Sequence, residues 1–97
     1  MAEVMDYTRC TREFLRKVDV DAEKIRSILK MTELELKIVS SIEVNADSAS
    51  KLAKDYYEII KELLVALLLS HGLKSSNHEC LISFFHTTYQ SYEYEAL

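Results

Sequence analysis

Residues 63–78, LLVALLLSHGLKSSNH, decide the fold. Seven consecutive apolar residues, Leu63 to Leu69, run into Ser70-His71-Gly72, and a helix start signal follows with a histidine among its first residues. An apolar run with no polar side is a helix covered all round, at the centre of a bundle or against another chain. Gly72 supplies the left-handed residue at which such a helix ends, and His71 suits the negative end of the dipole. Ser76-Asn77-His78-Glu79 then has capping-box spacing: the Ser76 hydroxyl can reach the Glu79 amide and the Glu79 carboxylate can reach back. The spacing predicts a new helix from Asn77.

Upstream, the apolar run belongs to a helix over residues 47–71. Its first half keeps a polar side at Lys51, Lys54, Asp55, Glu58, Lys61 and Glu62, and Asn45 or Asp47 can cap it. A second long helix is predicted over residues 22–42, where Ile25, Ile28, Leu29, Leu36, Val39 and Ile42 recur at three- and four-residue steps. Asp21 is its cap, Val20 and Ile25 occupy hydrophobic-staple positions, and Glu33 with Lys37 forms an i,i+4 pair. Residues 3–17 carry a looser helical stripe, residues 17–20 read as a connection, and Cys80, Leu81, Phe84, Phe85, Thr88, Tyr89 and Tyr92 line one face of the last helix.

One glycine and no proline leave few residues for tight turns, so the 97-residue chain reads as a single all-α domain. The expected architecture is an up-down helical bundle of about four helices with a long central antiparallel hairpin. With so few helices to cover residues 63–69, a homodimer is expected. A formal charge of −4 argues against non-specific binding of duplex nucleic acid through a basic face. Lys74 is the only Lys or Arg after residue 62. Cys10 and Cys80 have neither finger nor CxxC spacing and read as reduced, buried thiols of a cytoplasmic protein. No signal peptide is visible, the apolar run is far short of a membrane span, and no spacing asks for a metal or cofactor.

Two long helices in a hairpin, the pair Tyr56-Tyr57 ahead of an ALLL run, and the segment G-x-K-S-x-N-H-x-C-L at residues 72–81 resemble the prokaryotic HEPN domain over about residues 17–90. The resemblance implies an up-down bundle, frequently dimeric, often partnered with a minimal nucleotidyltransferase in a toxin–antitoxin pair. Many members are metal-independent ribonucleases whose motif is an Arg followed four to six residues later by a His, with two copies facing one cleft. The histidine corresponds to His78. His71, Gly72 and Leu73 stand where the Arg belongs, and Lys74 is one residue too close and lacks the planar fork that grips a phosphate. This departure argues against ribonuclease activity while leaving the fold untouched.

The candidate site is therefore a nucleotide- or phosphate-binding turn of Lys74, Ser75, Asn77 and His78, with Tyr57 reaching the rim of the cleft. It combines helix-end amides, one cation and hydroxyl and amide donors. His78 is the candidate catalytic residue, a general base for a ribose hydroxyl. Set against this, Ser76 and Glu79 can satisfy the helix end alone, leaving His78 an ordinary turn residue. Three readings stay open: a homodimeric interaction module that binds a nucleotide and a nucleotidyltransferase partner, a metal-independent ribonuclease using His78 from two protomers at a composite dimer site and drawing charge from Lys74 or from Arg9, Arg12, Arg16 or Arg26, and a structural subunit with no ligand.

Overall fold

The computed structural model describes residues 6–89. Four helices and one short strand pair follow in the order α1 (Tyr7–Glu13), β1 (Leu15–Lys17), α2 (Ala22–Ser40), α3 (Ala49–Ser70), β2 (Leu73–Ser75) and α4 (His78–Thr88). The all-α expectation holds, with one correction. Residues 15–17, predicted as the end of a helix and the start of a connection, pair antiparallel with residues 73–75, with Leu15 opposite Ser75, Arg16 opposite Lys74 and Lys17 opposite Leu73. Val18 N donates to Gly72 O at 2.9 Å and Ser76 N to Phe14 O at 3.0 Å, extending the ladder at both ends.

Local chemistry sets the helix boundaries. Asp21 caps α2 as expected, its carboxylate accepting from Lys24 N at 3.1 Å. The connection at residues 41–48 is shaped by Asn45, whose Oδ1 accepts from the amides of Asp47 and Ser48, while Ser48 stands at the N-cap of α3 without a side-chain bond to that helix. Gly72 adopts φ +70°, which favours glycine, and a Cβ there would sit tightly at 3.2 Å from Val18 O. The helix after it starts one residue later than predicted. Asn77, not Ser76, is its N-cap, with Oδ1 accepting from Glu79 N at 2.8 Å. Ser76 is instead turned to Phe14 O, to which its hydroxyl also points at 3.4 Å.

Apolar burial forms two separate clusters. Val39, Leu52 and Ile59, with Ile42 against them, join α2 to α3 near their connection. Leu68, Leu81 and Phe84 join α3 to α4, covered by Tyr7, Leu15, Leu64, Val65, Leu67 and Leu73. Most of the apolar run is therefore covered within one chain: Ala66, Leu68 and Leu69 are buried, and Leu63 is the one member left exposed. The uncovered apolar surface lies elsewhere. α2 packs chiefly on α3, and Leu29, Met31, Leu34, Leu36 and Ile38 remain exposed on it, as do Tyr56, Tyr57 and Ile60 on α3.

Cys10 and Cys80, both fully buried, form a disulfide that ties α1 to α4 across 70 residues of sequence. The expectation of burial holds and that of reduced thiols is corrected: the crossing of α1 over α4 brings their Cα atoms to 5.6 Å, within disulfide reach. Disulfides persist in oxidising surroundings, so this bond also removes the argument by which the cysteines pointed to the cytoplasm. No helix of the described residues is long and apolar enough to cross a membrane.

Candidate functional site

The C-terminal end of α3, the strand pair and the first turn of α4 converge on one corner. Each arrives there for a local reason: Gly72 reverses the chain after α3, the ladder with β1 holds residues 73–75, and Asn77 starts α4. Residues directly opposite in an antiparallel pair project from the same face, so Arg16 and Lys74 stand side by side at the centre of the ladder, and both are exposed. Leu15 and Leu73, one position away on their strands, turn to the buried cluster. Two like charges directly opposed disfavour the pairing by themselves and are relieved by an anion placed between them.

Behind this corner lies a small, partly open cavity of about 170 Å³. Its floor is apolar, from Val65, Leu68, Leu69, Leu73 and Leu81, and its exposed side is made by Lys24, Lys74 and His78, with Ser75 between. Among the described residues no carboxylate lines it. Glu79, the acidic residue of the first turn of α4, belongs to the other side of the helix, where it adds to the field on Arg9. The Arg9 guanidinium, hydrogen-bonded to Glu13 at 2.7 Å, is held above its ordinary pKa mainly by that contact and further by Glu13's charge.

The structure thus assembles part of the predicted site. Lys74, Ser75 and His78 share one cavity. The hydroxyl of Ser75 is engaged, donating to Asn77 O at 2.7 Å and accepting from Asn77 N at 3.0 Å, and the Asn77 amide oxygen serves as the helix cap. These two residues build the turn that presents Lys74 and His78, and Asn77 Oδ1 and Ser75 Oγ act inside it. Tyr57 does not join the group. It is exposed on α3, 13 residues before Ser70, which places it about 20 Å along the helix axis from the corner.

Among the candidate arginines only Arg16 is brought beside Lys74. Arg9 pairs with Glu13 and lies over the Phe14 ring, 5.7 Å from its centroid, while Arg12 and Arg26 are exposed on α1 and α2. Lys24, in the first turn of α2, is a member of the site that sequence reasoning missed; its only local signal is the amide bond to Asp21, which reports a helix start and says nothing of what the side chain faces. His71 closes α3 as expected, its ring edge-on to Phe84 at 5.1 Å and its Nε2 3.4 Å from the Tyr89 hydroxyl. His86 lies exposed in the last turn of α4. No group of three His, Cys, Asp or Glu side chains among the described residues is arranged to hold a metal.

A larger, more open groove of about 440 Å³ runs between α2 and α3 past Lys24, Glu35, Glu58 and Glu62. Its carboxylates give it the wrong sign for a phosphate. Compared with protein-family models, curated proteins and solved structures, the chain gives no match.

Proposed function

We propose that this chain is a HEPN-like helical module that binds a phosphate-bearing ligand, a nucleotide or RNA end, at the Arg16–Lys74–His78 corner. The observation that carries the reading is the ladder register, which sets Arg16 directly opposite Lys74 on a protein whose net charge is −4. Two cations opposed at the surface are an arrangement that an anion stabilises, and Lys74 of this pair also lines one cavity with Lys24 and the exposed His78. Titration with ATP and with a short RNA at two salt concentrations tests it. Binding is expected to weaken about tenfold in Arg16→Ala and in Lys74→Ala, with a shallower salt slope in each. Equal affinity in wild type and both variants would sink the reading.

The same module is proposed to assemble as a homodimer and to meet a nucleotidyltransferase partner. Support for the dimer comes from exposed stripes of α2 and α3, to which the apolar run contributes Leu63 alone. Leu29 and Leu36, seven residues apart, share one stripe of α2, and Tyr56, Ile60 and Leu63 share one stripe of α3, all exposed. A face of this kind on a helix with one main neighbour suits a two-fold, self-complementary contact. Light scattering after size exclusion is expected to give twice the chain mass, and Ile60→Lys is expected to give a monomer with unchanged helicity. A wild-type monomer at micromolar concentration contradicts the proposal.

A second reading, a metal-independent ribonuclease, is favoured by one specific observation. Arg16 enters the corner from 58 residues upstream of Lys74 and supplies the planar guanidinium that positions 71–73 lack. In this reading Arg16 and Lys74 hold the phosphate and His78 takes the proton of the adjacent ribose hydroxyl. RNA cleavage without metal by wild type, lost in His78→Ala and in Arg16→Ala, is its expected result; background rates in all three remove it.

A further inference from the structure

We propose that the corner selects an anion bearing a compact apolar body of about six carbons, with the charged head between Lys24, Lys74 and His78 and the body seated on Leu68, Leu69 and Leu81. This rests on the anion site proposed above and specifies what the remainder of the ligand must be. The cavity is lined on its inner side by leucines and Val65, and its cation-capable groups all lie on the exposed side, so it presents a polar mouth over an apolar floor. Its cation-capable groups come from three elements, α2, β2 and α4, and no carboxylate of the described residues lines it with them.

Size sets the class of ligand. At about 170 Å³ the cavity has room for a body the size of one benzene ring, for which roughly 150 Å³ suffices. Water gains little there, because the floor offers no partners and Ser75, the remaining polar residue, already has both its bonds to Asn77. A hydrocarbon segment of about six carbons fills the space, while a bare phosphate occupies only the mouth. Each methylene moved from water to the floor strengthens binding by roughly a factor of four. A straight-chain carboxylate therefore gains affinity steadily with length until the floor is covered, then stops gaining.

The test is a titration of the full chain with acetate, butyrate, hexanoate and octanoate, read by methyl NMR shifts of the leucines. Inorganic phosphate and 1-hexanol are run beside them. Hexanoate is expected to bind up to two orders of magnitude more tightly than acetate, with shifts at Leu68, Leu69 and Leu81 and little further gain for octanoate. Lys24→Ala with Lys74→Ala is expected to reduce hexanoate binding at least tenfold without moving the leucine resonances of the free protein. Val65→Phe, which fills the cavity, is expected to abolish the length dependence while phosphate binding persists. If phosphate binds and the carboxylate series is flat, the cavity proposal is overturned and the anion site stands. If neither phosphate nor any carboxylate binds, both are overturned. Hexanol binding as tightly as hexanoate overturns the selection for an anion.

Discussion

Reducing the Cys10–Cys80 bond should cost this protein a large share of its stability. The bond closes a loop of 70 residues, and the chain-entropy relation for such a loop gives about 4 kcal/mol of stabilisation through restriction of the unfolded chain. Domains of this size are held by only about 5 to 15 kcal/mol in total. With a urea slope of about 1 to 2 kcal/mol per molar, the unfolding midpoint is expected to fall by roughly 2 to 4 M on reduction. The slope itself should steepen, since an uncrosslinked unfolded chain exposes more surface. Circular dichroism during urea titration, with and without a dithiol reductant, measures both quantities. The double variant Cys10→Ala, Cys80→Ala should reproduce the reduced curve without reductant. Two titratable thiols in the denatured, unreduced protein, or superimposable curves, would refute the reasoning.

Other expectations are local. Gly72→Ala should destabilise by roughly 1 to 2 kcal/mol, because φ is +70° and the new Cβ would lie 3.2 Å from Val18 O; the loss is read by thermal or urea unfolding. Ser83 is 1% exposed and its hydroxyl has no hydrogen-bond partner among the described residues, so Ser83→Ala should be stabilising by about 1 kcal/mol in the same assay. Lys61 is held above its ordinary pKa of 10.5, chiefly by its hydrogen bond to Glu58. A raised folded pKa gives a contribution that is full below the unfolded value and lost as pH climbs through the folded one. The difference in stability between wild type and Lys61→Met should therefore be constant from pH 6 to pH 9 and shrink only above about pH 10.5.

What the sequence disclosed and what it hid divide along the range of the interactions. Asp21 as a cap and Gly72 as a left-handed terminator depend on a few neighbouring residues, and both stand where the pattern placed them. The choice between Ser76 and Asn77 was lost because both are good caps in isolation; the strand pair settled it by turning Ser76 toward Phe14. Residues 15–17 looked like the end of a helix because three residues carry no usable alternation, and their partners lie far along the chain. The pairing of Cys10 with Cys80 is invisible for the same reason: it depends on where α1 crosses α4. In the site, Lys74 and His78 were legible because they adjoin one turn, whereas Arg16 was one of four candidates and Lys24 was none, since only packing brings them to the corner. Tyr57 was placed at the rim by its direction on the helix as one of an adjacent pair, and helix length separates it from the turn.

The disulfide also gives the molecule an unusual tolerance to being cut. Cys10 lies before the connection at residues 41–48 and Cys80 after it, so the backbone from 10 to 80 is a closed covalent ring. Within that ring, residues 43–47 are exposed. A protease that severs the chain there opens the ring without releasing either piece: one carries α1, β1 and α2, the other α3, β2 and α4. The ladder that sets Arg16 against Lys74 would then join two polypeptides, tethered beside the cut-free end of the bundle by a single bond. Such a nicked molecule would migrate as one species until reductant is added and as two afterwards.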